Sequence, residues 1–168
     1  MDIKSVFLNG DLKVVYVHQP PGFTIPGKEG MVLRLREALY GLRQAPRAWN
    51  AKLDSTLKGM GFEQSPREAA IYRRGNDGNA LLVGVYVDDL VITGTKDVEV
   101  AAFKEEMKAI FQMSDLGPLS FYLGIEVHQD DSGITLRQTA YAKRVVELAG
   151  LTDCNPALTP MKEAEAEP

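Results

Sequence analysis

The sequence predicts an α+β fold with a largely antiparallel sheet, and three observations carry that expectation. Runs of strand-favouring residues recur across short turn signals such as Gly75-Asn76-Asp77-Gly78 and Asp130-Asp131-Ser132-Gly133. Three stretches switch to a helical period, and strands and helices alternate irregularly, without the regular strand-helix-strand rhythm of a parallel sheet.

Residues 2–8 alternate loosely between apolar and polar, then meet Asn9-Gly10-Asp11, and Val14-Val15-Tyr16-Val17 follows. This pattern predicts strand, turn, strand. Gln19-Pro20-Pro21-Gly22 stops the second strand, and Met31-Val32-Leu33 opens a third short strand or a helix. From Ala45, with Pro46 suited to a first helical turn, Trp49, Leu53, Leu57 and Met60 recur every three or four residues before Gly61. Residues 69–73 and 81–87 read as a hairpin, and residues 90–93 as a further strand. Thr95 or Asp97 is suited to cap a helix whose apolar positions are Val100, Phe103, Met107, Ile110 and Phe111. Residues 121–127 and 134–137 form another expected hairpin. A last helix over 140–149 should turn Tyr141, Val145 and Leu148 inward, with Gly150 beyond it as a C-cap. Residues 153–168, with three prolines and the Lys162-Glu163-Ala164-Glu165-Ala166-Glu167 run, read as a flexible acidic tail after a folded region over 1–152.

Composition narrows the chemistry. One cysteine, Cys154, leaves no internal disulfide, and His18 and His128 lie at no usual zinc spacing from it, so a metal would be held by oxygen. No apolar stretch approaches the ~20 residues that span a bilayer, and no signal-peptide pattern opens the sequence, so no membrane partner and an intracellular location are expected. The net charge of −4 argues mildly against nucleic acid, yet Arg34, Arg36, Arg43, Arg47 and Lys52 cluster against the single acid Glu37. On charge alone a solvated face is the commoner reading of such a cluster.

The most informative segment is Val85-Tyr86-Val87-Asp88-Asp89-Leu90-Val91, where two carboxylates interrupt an apolar run. Tight hairpin turns favour Gly or Asn, because central residues need positive φ, and adjacent like charges beside a sheet resist desolvation. Asp130-Asp131 is the internal control: it lies in a polar, Gly-containing turn where an Asp pair is ordinary. Asp88-Asp89 therefore reads as a divalent-cation site, with Asp2 as the natural third carboxylate.

Tyr86-Val87-Asp88-Asp89 resembles the Tyr-x-Asp-Asp box of reverse transcriptases, and its company makes the resemblance specific. The opening Met1-Asp2-Ile3-Lys4-Ser5-Val6-Phe7-Leu8-Asn9-Gly10 is similar to the first catalytic motif of copia-type LTR retrotransposons, and Gln19-Pro20-Pro21-Gly22-Phe23 follows it. Leu39-Tyr40-Gly41-Leu42-Arg43-Gln44-Ala45-Pro46-Arg47-Ala48-Trp49 resembles that family's template- and nucleotide-contacting motif. Phe121-Tyr122-Leu123-Gly124-Ile125-Glu126-Val127 resembles its primer-gripping hairpin, and Cys154-Asn155-Pro156 with Thr159-Pro160 is also typical.

The resemblance implies a partial reverse transcriptase: a palm-like antiparallel sheet packed by two to three helices, with part of the fingers and the start of the thumb or connection. It implies RNA-directed DNA polymerase activity with two Mg²⁺ ions, Mn²⁺ substituting, on Asp2, Asp88 and Asp89, and the Ile3 carbonyl as a further metal ligand. Ser5, Val6, Phe7, Gly41 and Gln44 would line the nucleotide, with Phe7 rejecting a 2′-hydroxyl; plain core packing is the alternative fate of Phe7. Arg43, Arg47, Tyr86, Leu123 and Gly124 would meet the template-primer. Partners are then an RNA or DNA template-primer, deoxynucleoside triphosphates and the remainder of a polyprotein, in cytoplasmic virus-like particles or the nucleus. Family members carry a fingers segment with triphosphate-holding basic groups before the first motif. Its absence here leads to the expectation of an element fragment with little activity alone. A degenerate, inactive fragment with residual nucleic-acid binding stays open as the alternative.

Overall fold

The computed structural model describes residues 1–156, so the expected acidic tail from residue 157 on, with Thr159-Pro160, lies outside the described residues. The chain divides into two compact units, Met1–Gly117 and the part from Pro118 on.

The first unit contains β1 (Asp2–Ile3), a 3₁₀ turn (Val6–Asn9), β2 (Tyr16–His18), β3 (Val32–Arg34), α1 (Ala45–Gly59), β4 (Glu63–Gln64), β5 (Ile71–Arg74), β6 (Leu81–Tyr86), β7 (Asp89–Gly94), α2 (Asp97–Ile110) and β8 (Met113–Ser114). Six of its strands make an antiparallel sheet in the order β4-β5-β6-β7-β1-β8. Tyr72 faces Val83, Val83 faces Ile92 and Val85 faces Leu90 in the β5-β6-β7 register, so these side chains share one face. That face is the core. Trp49, Leu53 and Leu57 of α1 and Phe103 and Met107 of α2 are buried against Tyr72, Leu81, Val83 and Leu90 in one cluster. Both helices are amphipathic at the expected spacing, and burial of such stripes stabilises by roughly 1.5–3 kcal/mol for each large apolar side chain. The opposite face of the same strands carries Ile71, Leu82, Tyr86 and Asp89, and Ile71, Leu82 and Tyr86 are exposed.

Residues 2–8 depart from the expected strand. Ser5 is left-handed at φ 50°, which ends the extended backbone after Ile3, and Leu8 N–H closes onto the Ser5 carbonyl at 2.9 Å. The turn buries Val6 and brings Gly10 against α1, where a Cβ would stand 2.9 Å from the Trp49 backbone nitrogen. Gly10 thus serves close helix approach, not a hairpin. Accordingly β2 pairs with β3, as Tyr16↔Arg34 and Val17↔Leu33, and not with the first strand. At the start of α2 the capping position is Lys96 with no side-chain cap, and Asp97 is the first helical residue, where its charge favours the helix dipole.

The second unit contains β9 (Phe121–Tyr122), β10 (Ile125–Asp130), β11 (Gly133–Arg137) and α3 (Thr139–Leu148), with the strands in the order β11-β10-β9. The expected inward face of α3 is instead open: Tyr141 is 61%, Val145 47% and Leu148 78% exposed. A three-stranded ribbon has too little apolar surface to enclose the stripe that the helical period created. Among the described residues no helix is long and apolar enough to cross a membrane.

Candidate functional site

Antiparallel strands alternate hydrogen-bonded and non-hydrogen-bonded residue pairs, and this alternation places the first carboxylates. Met1 and Leu90 exchange backbone bonds at 2.8 Å in both directions, and Ile3 N–H donates to the Asp88 carbonyl at 2.9 Å. Asp2 and Asp89, directly opposite between them, are therefore a non-hydrogen-bonded pair, the closer of the two kinds, with both side chains on one face. Like charges directly opposite destabilise a sheet. Tyr86 faces Asp89 across the β6-β7 hairpin, so this acidic pair lies on the face that the helices leave uncovered.

The hairpin turn differs by one residue from the Asp-Asp turn expected from the sequence. Its central residues are Val87 and Asp88, while Asp89 begins β7 and pairs with Tyr86. Val87 takes φ 54°, a conformation that a β-branched side chain resists. Two hydrogen bonds hold the strained corner. The Trp49 indole Nε1–H donates to the Val87 carbonyl at 2.7 Å from α1, and Ile3 N–H holds the next carbonyl from β1.

The electrostatics follow from this crowding. Burial first, then the charges of Asp88 and Asp2, push the Asp89 carboxyl above the usual carboxylate range. Lys4 Nζ donates to the Asp2 carboxylate in a close ion pair. Among the described residues no three His, Cys, Asp or Glu side chains converge as a ready metal centre. The three aspartates nevertheless fit a hard divalent cation by donor chemistry: all are oxygen ligands, and a cation would offset the burial and the repulsion that together raise Asp89.

The other expected site residues fall into groups. Val6 is fully buried and belongs to the core, so it offers no exposed surface to a ligand. Ser5 is exposed at its left-handed corner. Phe7 is partly buried, packs on the core, and meets the exposed Tyr40 ring edge-to-face at 4.7 Å between centroids. Gly41 is left-handed at φ 88°, and Gln44 precedes the first helical residue of α1. Arg43 and Arg47 are exposed and, with Arg34 and Arg36, make no ion pair among the described residues, whereas Lys52 pairs with Asp11 at 3.0 Å. Leu123 and Gly124, both at positive φ, form the β9-β10 turn of the second unit. Trp49, Lys4 and Tyr40 are site residues that sequence reasoning does not single out. Trp49 sits on the apolar stripe of α1, so only the bond made by its indole nitrogen separates it from ordinary core.

Comparison with known proteins agrees with the motif order. The family profile described as reverse transcriptase (RNA-dependent DNA polymerase) matches residues 1–163. The retrovirus-related Pol polyprotein from transposon TNT 1-94 of Nicotiana tabacum is 35% identical over 165 residues, which cover 96% of this chain and 12% of the polyprotein. The putative transposon Ty5-1 protein of Saccharomyces cerevisiae is 32% identical over 163 residues, covering 96% of this chain and 53% of that protein. The retrovirus-related Pol polyprotein from transposon RE2 of Arabidopsis thaliana is 33% identical over 162 residues, 96% of this chain and 11% of the polyprotein. The chain thus spans about a tenth to about half the length of these curated relatives. No solved structure matches it. With its motifs in order and its relatives among transposon Pol polyproteins, the chain belongs to the copia-type reverse transcriptase (RNA-dependent DNA polymerase) family.

Proposed function

We propose that this chain forms the catalytic sheet, a partial palm with part of the fingers, of an RNA-directed DNA polymerase. The observation that carries the reading is the Asp2-Asp89 non-hydrogen-bonded pair on the open sheet face, with Asp88 in the adjoining strained turn. Like charges at closest approach make sense where a cation is bound, and the helix-covered core beneath keeps the strands from splaying apart.

Asp2, Asp88 and Asp89 would hold two Mg²⁺ or Mn²⁺ ions, with the Ile3 carbonyl as a further ligand. Bound there, the ions would supply charge neutralisation and activation of the primer hydroxyl in phosphoryl transfer. The chain's own groups do the positioning. Phe7, packed against the Tyr40 ring, presents a ring beneath the nucleotide sugar, and a ring held in place excludes a 2′-hydroxyl by contact. Ser5 lies under the triphosphate, and Gly41 and Gln44 border the nascent pair. Arg43 and Arg47, which make no ion pair among the described residues, attract template-primer phosphates, Tyr86 offers its ring on the open face, and Leu123-Gly124 contacts the primer end. The remainder of a polyprotein is a further partner in this reading.

A second reading, nucleic-acid binding without catalysis, is favoured by one observation: Lys4 already occupies the Asp2 carboxylate. Titration with Mn²⁺, followed by electron paramagnetic resonance, separates the two. The polymerase reading expects binding that Asp2→Asn and Asp88→Asn each weaken and Asp130→Asn leaves alone, together with Mg²⁺-dependent primer extension when the chain is part of its polyprotein. Mn²⁺ binding that is absent, or equal in Asp88→Asn, rejects it.

A further inference from the structure

The corner that carries Asp88 needs an external restraint. Val87 holds φ 54°, where its branched Cβ crowds the backbone, and a free hairpin of this sequence would relax toward negative φ. Of the two bonds that oppose relaxation, one comes from β1, a neighbouring strand. The other crosses from a different layer: Trp49 lies on α1, is 2% exposed, and sends its indole N–H to the Val87 carbonyl at 2.7 Å. The ring itself is fixed, edge-to-face on Phe111 with centroids 5.3 Å apart. A rigid donor anchored in the core thus ends on the residue immediately before Asp88.

We propose that Trp49 is a positioning residue for the metal-binding turn: its N–H pins the left-handed Val87 corner and so sets where the Asp88 carboxylate stands relative to Asp89 and Asp2. This inference rests on the reading of the three aspartates as a cation site. Packing alone does not account for the arrangement. The buried ring of Trp49 needs a hydrogen-bond partner, the carbonyls inside a helix are already bonded to the helix's own N–H groups, and the partner it finds is the carbonyl of the strained Val87. The indole bond and the Val87 strain are two parts of one device, because the bond is needed only while the residue at 87 resists positive φ.

The test uses the whole chain, with Mn²⁺ as the probe of affinity and diamagnetic Mg²⁺ as the probe of the indole resonance. Trp49→Phe keeps an aromatic ring against Phe111 and removes the N–H. It should weaken Mn²⁺ binding about threefold to tenfold, the range for one lost hydrogen bond. Leu53→Ala, one turn further along the same buried stripe, should cost more thermal stability and leave Mn²⁺ affinity of the folded chain within about twofold, since its side chain has no hydrogen bond to give to the turn. Glycine accepts positive φ freely, so on a Val87→Gly background Trp49→Phe should change Mn²⁺ affinity by less than about twofold. An equal loss on both backgrounds, or the same loss in Leu53→Ala, overturns the inference. Should Trp49→Phe not fold, the unsubstituted chain decides: it holds a single Trp, so its indole ¹H–¹⁵N resonance is unambiguous and should shift with Mg²⁺ at the midpoint of binding. A resonance that stays fixed while metal binds overturns the inference alone. A chain that binds no Mn²⁺ overturns the cation-site reading and this inference with it.

Discussion

Two hairpins in this chain carry an Asp-Asp pair, and they behave oppositely. At Asp130-Asp131 the Asp130 carboxylate accepts from Ser132 N–H at 2.9 Å and from the Ser132 hydroxyl at 2.5 Å, and these bonds hold it below the usual carboxylate range. Gly133, at φ 139°, supplies the turn conformation at no steric cost. At Asp88-Asp89 no glycine is present, Val87 takes the positive φ, and burial with two neighbouring carboxylates holds Asp89 above the usual range. In the first pair, Asp130 is satisfied locally by its own turn. The second is strained, repelled and held by groups from α1 and β1, which is how a site differs from a solvated loop of the same composition.

Asp88→Asn should produce the largest separation. Removing a ligand from the proposed cation site is expected to weaken Mn²⁺ binding on the order of 100-fold, whereas Asp131→Asn in the other turn should leave it unchanged, as read by paramagnetic resonance. Equal effects in the two hairpins would erase the distinction.

The support beneath the first hairpin makes a pH prediction. Tyr72 is buried under β5-β6 and donates to Asp54 Oδ1 at 3.0 Å; burial first, then that bond and the Asp54 charge push its phenol up to about 12. Below the phenol's ordinary value of ~10 both folded and unfolded chains keep the proton, and the contribution of this group is intact. As pH rises from ~10 toward the folded value, the unfolded chain ionises first and stability falls, by roughly 2–3 kcal/mol. Alkaline chemical denaturation should show that fall in the native chain and not in Tyr72→Phe.

A smaller effect separates the carboxylates themselves. Without divalent ions, Asp89→Asn should raise Tm by roughly 2–4 °C, because it removes one of two opposed charges, and Asp130→Asn should lower Tm or leave it unchanged. Calorimetry of the two variants side by side gives the sign directly, and a drop in Asp89→Asn would mean that the Asp89 carboxylate stabilises the sheet more than its repulsion from Asp2 destabilises it. Smallest is the Lys4 contact. An exposed ion pair is worth up to about 1 kcal/mol, so freeing Asp2 by Lys4→Ala should strengthen Mn²⁺ binding by no more than about fivefold. Weaker binding in Lys4→Ala would show that Lys4 orients Asp2 rather than competing for it.

Much of this is legible in the residues. The 3–4 spacing of Trp49, Leu53 and Leu57 names the buried stripe of α1, and the Val-rich runs flanking Asp88-Asp89 name two strands, because a single period fixes which side chains share a face. The contrast between the two Asp pairs is also visible, from the presence of Gly and Ser beside one and their absence beside the other. Residues 2–8 mislead for a local reason: alternation extends to Leu8, but Ser5 turns left-handed so that Val6 reaches the core. The open face of α3 misleads because a helical period creates an apolar stripe whether or not a partner surface follows in the same unit.

The sequence by itself determined the types of the longer elements from α1 on, the order of the family motifs and the oxygen-only chemistry of the candidate site. Tertiary structure alone decided that Asp2 meets Asp89 in a non-hydrogen-bonded pair, that the turn falls on Val87-Asp88, and that Trp49 bonds the strained carbonyl. The reason is that propensity and period act over a few neighbouring residues, while register between strands some ninety positions apart is set by how their buried faces pack on shared helices, and a slip of one residue would turn every carboxylate to the other side.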